Sequence, residues 1–278
     1  MQLSLSVRIA EGFFFKEQAV LNLAEMIDLA QSAGYDAICM RASQIGVQSP
    51  PDVVEEACSL LAARAVPVSM VTGDFDVVYN NDDGPQCLRA IEPYLQLADR
   101  FGAGLIRVAL KTEDDIEWAS RAAEQAAGSG IRLVHQCHTR SLFETVDEIE
   151  RTLRRIGHPN FGLIFEPANL ELCGQSYGLE TLERLAPWIF NVYLQNQIIR
   201  EDGACSLDTW CRGPVTFDLI DVHESGGIDF EQVINDLSII GYDGTLTVHQ
   251  AGGEGDSPVD SARQTARFLR ERLDRHFR

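Results

Sequence analysis

Apolar residues along the chain alternate between short, nearly continuous runs and longer amphipathic stretches. Near-continuous apolar runs of this length are typical of strands buried on both faces of a parallel sheet. They predict strands over residues 3–7, 37–41, 66–71, 105–109, 132–135, 161–165, 189–194 and 245–249. The stretches between them place apolar residues at helical spacing, which predicts helices over residues 19–33, 53–64, 87–101, 114–127, 143–156, 230–240 and 259–276.

A glycine recurs at four junctions between a predicted helix and the strand that follows it, at Gly34, Gly102, Gly130 and Gly241. Glycine just past a helix end supplies the left-handed residue that stops the helix. A repeated helix–glycine–strand unit is typical of a βα-repeat fold. The sequence therefore predicts an α/β fold, a single (βα)8 TIM barrel domain over residues 1–278, rather than a doubly wound open sheet.

Two polar stretches interrupt this rhythm, at residues 72–85 and 196–227. Loops of such length in a compact domain are usually functional or are disordered insertions. Both stretches follow a predicted strand, so both fall at the carboxyl end of the barrel, where barrel enzymes keep their active sites.

Composition and charge narrow the function. The 278 residues are 45% hydrophobic and 23% charged, which is ordinary for a globular protein, and the net charge of −19 opposes binding to nucleic acid. The N-terminus lacks a basic signal-peptide region, and no apolar run is long enough to span a membrane. Seven scattered cysteines without a C-x-x-C pair favour free thiols in a reducing cytoplasm over a structural zinc site.

Basic residues stand at or just after the ends of several predicted strands, namely Arg8, Arg41, Arg107 and Lys111. In so acidic a chain, cations at a barrel mouth favour an anionic or polyhydroxylated small-molecule ligand. The alternative is that Arg41 and Arg107 pair with acidic neighbours, and the sequence leaves both interpretations open.

Other polar residues occupy the remaining strand ends: Thr72, Gln136, His138, Glu166, Tyr193, Gln195 and His249. Two imidazoles and a carboxylate, from His138, His249 and Glu166, could ligate one divalent metal. Each of the three alone is equally consistent with a hydrogen-bonded residue at the barrel rim.

Several of these residues lie in segments that resemble the sugar phosphate isomerase/epimerase family, the xylose isomerase-like TIM barrel group. The segments are residues 34–41, 133–138 (LVHQCH), 141–147, 158–169 (HPNFGLIFEPAN), 226–231 and 239–249. The resemblance covers nearly the whole chain. It implies a TIM barrel that isomerises or epimerises small sugar derivatives. The family commonly forms dimers or tetramers, but no exposed apolar stripe here requires a homo-oligomer, so the oligomeric state stays open.

The resemblance also implies a metal site from which this chain departs. The family commonly holds one divalent cation with Glu, Asp, His and Glu on strands five to eight, and the two glutamates move the proton. The matching positions here are Gln136, Glu166, Tyr193 and His249. A neutral amide is a weaker ligand for a hard cation than a carboxylate, and tyrosine is a poor ligand unless ionised. The site either binds zinc, manganese or magnesium through Glu166, His249 and His138, or has lost the metal.

The leading hypothesis is an isomerase or epimerase of a small sugar, sugar phosphate or keto-acid derivative. In it His249 is the catalytic base, with its pKa shifted upward if Glu166 is ionised nearby, and Glu166 binds the metal or orients the substrate. The substrate would be held by Arg41, Arg107, Gln136, His138, Tyr193 and Gln195. Two alternatives stay open: a dehydratase or lyase on the same barrel, and a catalytically silent barrel that binds a ligand or a partner protein.

Overall fold

Eight parallel strands close into a barrel in a computed structural model that describes residues 1–251 and 257–277. The strands of the chain are β1 (Gln2–Ser6), β2 (Ala37–Arg41), β3 (Val68–Thr72), β4 (Leu105–Val108), β5 (Arg132–Gln136), β6 (Phe161–Phe165), β7 (Ile189–Leu194), β8 (Asn196–Ile199), β9 (Cys205–Thr209), β10 (Gly213–Ile220) and β11 (Thr245–Val248). The barrel order is β1-β11-β7-β6-β5-β4-β3-β2. The domain predicted over residues 1–278 includes residues 252–256 and 278, which lie outside the described residues.

Helices follow the barrel strands. They are α1 (Leu23–Ala33), α2 (Pro51–Ala63), α3 (Phe75–Tyr79), α4 (Gln86–Arg89), α5 (Glu92–Phe101), α6 (Asp115–Ala127), α7 (Val146–Ile156), α8 (Pro167–Leu172), α9 (Leu179–Leu185), α10 (Phe230–Ile239) and α11 (Pro258–His276). The predicted (βα)8 fold is confirmed, and each barrel strand lies within about two residues of its predicted bounds because both of its faces are buried. Among the described helices, none is long and apolar enough to cross a membrane.

Apolar side chains form two concentric layers. One cluster takes one side chain from each of six neighbouring strands, β2 to β7: Cys39, Met70, Leu105, Val134, Ile164 and Tyr193. The larger cluster holds the strand residues that face the helices, together with the apolar faces of those helices. The bore is therefore filled by side chains, as in other barrels of eight strands, and ligands can enter only at its ends.

Glycine ends the helices where the sequence predicts it. Gly34, Gly102, Gly130 and Gly241 all have positive φ, between 64° and 87°. That left-handed conformation turns the chain back toward the next strand without a steric penalty.

Three predicted helix bounds are wrong, each for a local reason. Residues 87–101 form two helices, because Ala90 leaves the helical conformation (φ −136°, ψ 63°) before α5 begins. The helix predicted from residue 19 begins at Leu23, after Asn22 and Glu25 form a capping box. The helix predicted from residue 143 begins after Thr145, whose hydroxyl accepts the Glu148 N–H.

The two polar stretches contain regular structure. Residues 196–220 include a three-stranded antiparallel sheet in the order β8-β10-β9, and residues 72–85 include α3, which is capped by Asp74. Both stretches lie at the carboxyl end of the barrel, as the sequence predicts. They contribute walls to the cavity described below.

Candidate functional site

A cavity of about 170 Å³ lies at the carboxyl ends of the barrel strands. Its size suits a small molecule rather than a polymer. Its walls bring together eight of the residues identified at strand ends from the sequence: Arg8, Arg41, Arg107, Gln136, His138, Glu166, Gln195 and His249. Side chains from the loop after β1, from the region of α3 and from β9 and α8 complete it: Phe13, Phe14, Lys16, Val78, Tyr79, Asn169 and Leu207.

Arg41 forms a buried ion pair with Glu11, which lies on the loop after β1. Its Nε donates to both oxygens of Glu11, at 2.9 and 3.0 Å, and Arg8 Nη1 lies 3.4 Å from Glu11 Oε2. Burial alone would raise the pKa of Glu11, but Arg41 and Arg8 hold it below its usual range. The same crowding, after burial, lowers the pKa of Arg8 to about 10. One carboxylate thus serves two guanidinium groups, which leaves an excess of positive charge.

Arg107 differs from Arg41 in having no acidic partner. It is buried, and within residues 1–251 and 257–277 it makes no ion pair, while its Nε has no hydrogen-bond acceptor. Arg41 Nη1 is also without an acceptor. Of the two interpretations that the sequence left open, the acidic partner applies to Arg41 and not to Arg107. Buried donors without acceptors beside a cavity are groups that a ligand would satisfy.

Lys16 adds a further cation that the sequence did not single out. Its Nζ donates to the carbonyl of Val78 at 3.3 Å and lies 5.2 Å from the centre of the Tyr79 ring. Burial and the neighbouring Arg8 lower the pKa of Lys16 well below its usual value. A bound anion would offset this repulsion and favour the charged ammonium.

Glu166 is the carboxylate on the barrel side of the cavity. It is the first residue after β6, and Pro167 begins α8 directly behind it. Its Oε2 accepts hydrogen bonds from the amides of Gln136 and Asn169, and both bonds end on that one oxygen. Burial raises the pKa of Glu166 to about 7, although both amides and Arg107 act in the opposite direction. At neutral pH the carboxyl group is therefore poised between its two protonation states.

His249 follows β11, and its ring is stacked on that of Tyr193 at 3.8 Å with an angle of 11°. Its Nδ1 lies 3.2 Å from Ser6 Oγ. Burial, Arg41 and Arg107 lower the pKa of His249 well below its usual value, so the upward shift expected from a nearby Glu166 is wrong. Burial and the nearby guanidinium groups both disfavour the imidazolium, so the imidazole is neutral at pH 7.

Tyr193, a predicted substrate-binding residue, lies behind His249 and does not line the cavity. Its side chain is fully buried, and its hydroxyl is 3.9 Å from Cys39 Sγ. Burial raises the pKa of the phenol well above 10. The position that carries a metal-binding histidine in the resembled family thus holds a protonated phenol in the barrel core.

His138 lies between this cavity and a neighbouring one of about 570 Å³. Its Nδ1 is 2.9 Å from the carbonyl of Thr139 and 3.1 Å from the amide of Asn80. Burial and Arg107 lower the pKa of His138, so this imidazole is also neutral. Lys111 lines the neighbouring cavity, where its Nζ donates to the Asn80 carbonyl at 2.7 Å.

The predicted metal ligands do not fit a divalent cation. Among the residues that the structure describes, Glu166, His138 and His249 are not a group whose ligand atoms lie within 4.8 Å of one another; the group that meets this spacing is a different one, outside the cavity. Glu166 already accepts two amide hydrogen bonds. Arg8, Arg41, Arg107 and Lys16 line the same cavity and would repel a dication. The proposed chemistry of this cavity therefore involves no metal.

Besides the apolar and aromatic residues of the cavity wall, sequence reasoning missed three charged or polar residues of this site. Glu11 is thirty residues from Arg41, so only the fold brings them together. Lys16 follows a run of three phenylalanines and carries no motif. Asn169 lies three residues after Glu166, in α8, where positions i and i+3 share a helix face, but the sequence analysis predicted no helix there.

Sequence comparison identifies relatives of this chain. The family described as xylose isomerase-like TIM barrel matches residues 27–272. An inosose dehydratase of Geobacillus thermodenitrificans (strain NG80-2) is 25% identical over 166 residues, which are 56% of this chain and 53% of that protein. The match thus spans about half the length of this curated relative.

Structural comparison gives the same fold. A xylose isomerase-like TIM barrel protein from Mycobacterium smegmatis in complex with magnesium superposes with a TM-score of 0.73 at 14% identity, covering 100% of this chain and 98% of that one. An L-ribulose 3-epimerase superposes with a TM-score of 0.71 at 14% identity, covering 99% and 95%. Barrels of this architecture therefore include both a magnesium complex and a sugar epimerase.

Proposed function

Because the chain belongs to the xylose isomerase-like TIM barrel family, we propose that it isomerises or epimerises a small sugar derivative or keto acid that carries a carboxylate or phosphate group. The observation that supports this proposal is the charge of the cavity. Arg107 and Arg41 each carry a buried donor without an acceptor, and both residues line a cavity that also contains Lys16 and one carboxyl group of raised pKa, Glu166.

Substrate binding rests on the cations. A planar guanidinium binds a carboxylate or phosphate through paired hydrogen bonds, and such charge-assisted bonds are stronger when water is excluded. Arg107 is the principal candidate, since it is fully buried and has no acidic partner among the described residues. Gln195 and His138 add polar groups on the cavity wall that suit hydroxyl groups of a sugar.

Proton transfer is assigned to Glu166. A general base works best when its pKa is close to the operating pH, and the pKa of Glu166 is about 7. Its Oε2 is held by Gln136 and Asn169, which fixes the carboxylate and leaves Oε1 for the substrate. The sequence hypothesis gave this role to His249. The lowered pKa of that imidazole makes it a weaker base and favours a role as a neutral hydrogen-bonding group.

The proposed reaction removes the proton from the carbon next to the substrate carbonyl. The pair of electrons from the broken C–H bond forms the enolate, and the proton goes to Glu166 Oε1. A guanidinium group beside the enolate oxygen stabilises its negative charge without any metal. Transfer of this proton to the neighbouring carbon, while the hydroxyl proton passes to the former carbonyl oxygen, gives an isomer. An epimer forms when water delivers a proton to the opposite face and Glu166 releases its own proton to solvent.

Solvent exchange tests this proposal before the substrate is known. A panel of sugar acids, sugar phosphates and keto acids is incubated with the protein in D₂O, and deuterium at the carbon next to the carbonyl is followed by NMR. Glu166→Gln should lower the exchange rate by about 100-fold or more. Glu180→Gln, which alters an exposed glutamate of α9, should leave it unchanged.

The same panel separates the alternatives. A dehydratase would give an unsaturated product with loss of water, which would overturn the isomerase assignment while keeping the proton abstraction by Glu166. A silent binding barrel would raise the melting temperature with an anionic ligand but give no exchange. Exchange that survives Glu166→Gln would refute the assigned base.

Two further expectations remain proposals. A reducing compartment such as the cytoplasm is supported by seven cysteines that are all free. A homo-oligomer that binds no nucleic acid is supported by the family resemblance and by the net charge of −19.

A further inference from the structure

A second polar cluster lies outside the cavity, among the segments at the same end of the barrel. It consists of Glu144, Cys173 and Cys211, whose carboxylate oxygen and two sulfur atoms all lie within 4.8 Å of one another. Each residue comes from a different segment: the loop between β5 and α7, the end of α8, and the turn between β9 and β10. Glu144 and Cys173 are buried, and Cys211 is exposed.

We propose that Glu144, Cys173 and Cys211 bind a zinc ion. Thiolates select zinc over hard cations such as magnesium, and a carboxylate is a common third ligand. Three protein ligands leave one position of the tetrahedron for water, on the exposed side of Cys211. This site is separate from the cavity and does not depend on the proposed function.

The spacing of the donor atoms is close to that of a tetrahedral metal site. With zinc–sulfur bonds of about 2.3 Å, two sulfurs of a tetrahedral site are about 3.8 Å apart. Donor atoms that already lie within 4.8 Å of one another reach this geometry by small side-chain rotations. A disulfide bond requires sulfurs at about 2.05 Å, and both cysteines are free in this structure.

Backbone hydrogen bonds hold the carboxylate of Glu144 at the site. Its two oxygens accept from the N–H groups of Trp210 and Cys211, at 2.8 to 3.0 Å, and Oε1 also accepts from that of Arg140. Ligating carboxylates are usually fixed by such outer hydrogen bonds. The Trp210 N–H is shared between the two oxygens, so three N–H groups face the four lone pairs of the carboxylate and one acceptor position remains for a metal.

Zinc at this position would fasten the turn between β9 and β10 to the barrel. Without metal the turn is held by the Glu144 carboxylate and by Arg212, whose Nη1 donates to the carbonyl of Leu172 at 3.1 Å. Leu207 of β9 lines the cavity, so the metal would steady one cavity wall from outside. Binding forms two zinc–sulfur bonds and releases the two thiol protons to water, so no oxidant is needed.

Cobalt provides the probe, because thiolate–cobalt charge transfer absorbs in the near ultraviolet. The reduced, chelator-treated full chain is titrated with Co²⁺, and Zn²⁺ is then added as a competitor. We expect one Co²⁺ per chain, a charge-transfer band, and displacement by one Zn²⁺. Cys211→Ser should remove the band and weaken zinc binding by more than about 100-fold, beyond the usual cost of losing an outer-shell partner.

Matched variants make the test specific. Cys205→Ser alters a half-buried cysteine of the same hairpin and should leave the band unchanged. Glu166→Gln should also leave it unchanged, which separates this site from the cavity. Because Cys211 is exposed, Cys211→Ser should fold like the parent chain, as circular dichroism of the metal-free proteins can verify. Failure of the parent chain to bind Co²⁺, or equal binding by Cys211→Ser, would overturn the proposal. So would a Cys173–Cys211 disulfide that forms in air despite excess zinc.

Discussion

The cavity and the cluster of Glu144, Cys173 and Cys211 lie at the same end of the barrel, yet they favour opposite kinds of ligand. In the cavity a single carboxyl group on the barrel side, Glu166, faces an excess of cations, with buried donors left unsatisfied on Arg41 and Arg107. The outer cluster has two thiols and a carboxylate within 4.8 Å. The first arrangement attracts an anion and the second a soft cation. If the cluster binds zinc as proposed, this chain would hold a metal at a different place from the one that the family resemblance implies.

Within the cavity, two arginines also differ: Arg41 is paired with Glu11, and Arg107 has no acidic partner among the described residues. Arg41→Met should lower the free energy of unfolding by about 3 to 5 kcal/mol, because it leaves the buried Glu11 carboxylate without its main partner. Arg107→Met removes a buried charge that has no acidic partner in the described chain, so it should be neutral or stabilising. Urea denaturation of both variants measures the difference. Equal losses would show that Arg107 is a structural residue and not a ligand-binding one.

The pH dependence of stability tests the raised pKa of Glu166. A carboxyl group whose pKa rises from 4.5 to about 7 on folding favours the native state fully below pH 4.5, and this contribution is lost as the pH rises through 7. Relative to Glu166→Gln, the parent chain should therefore lose on the order of 3 kcal/mol of stability between pH 4.5 and 8. Thermal or urea unfolding at several pH values gives the difference. A flat difference would mean that Glu166 titrates as an ordinary exposed glutamate.

Arg107→Met should weaken ligand binding even though it does not lower the stability of the fold. Loss of one charge-assisted contact is expected to weaken binding of an anionic substrate or product by about 10-fold to 100-fold. Titration calorimetry of Arg107→Met against the ligand found by the solvent-exchange panel provides the measurement. Lys111→Met is the control, because Lys111 lies in the neighbouring cavity. If both variants lost affinity equally, the ligand would extend across His138 into that second cavity.

The smallest expected effect is that of magnesium. Because the cavity does not offer a ligand set for a hard cation, added Mg²⁺ should change the exchange rate by less than about twofold. The rate is compared after treatment with a chelator and after addition of Mg²⁺. A tenfold or greater activation would mean that the cavity does assemble a cation site when substrate is bound, and the contrast between the two regions would then fail.

Sequence reasoning recovered the barrel well because its signal is local. The bounds of β2, β6 and β7 are predicted to the residue, since each strand is a run of apolar side chains buried on both faces. The strands β8, β9 and β10 were missed, because they lie in a polar, glycine-containing stretch. β9, for example, alternates exposed and partly buried residues, and the turn that joins it to β10 has no strong sequence signal.

The candidate site was predictable only where the strand ends supply it. Eight strand-end residues, including Glu166 and His249, line the cavity because parallel strands all deliver their carboxyl ends to one place. Glu11, Lys16 and the grouping of Cys173 with Cys211 depend on how loops far apart in sequence fold over the rim. The direction of the pKa shift of His249 was wrong for the same reason, since the fold buries this imidazole and brings cations from several separate segments around it.

The seam between β1 and β11 has a consequence for how the protein is made. Residues 2–5 pair with residues 245–248, so β1 leaves the ribosome long before β11 and one of its edges stays uncovered until β11 is made. Exposed strand edges can pair with strands of other chains. During this interval of translation the open edge of β1 therefore exposes the nascent chain to aggregation. His249 follows that seam directly and meets Ser6 across it. A ribosome that stalls before residue 245 would therefore hold a chain with both an open edge and an unfinished cavity.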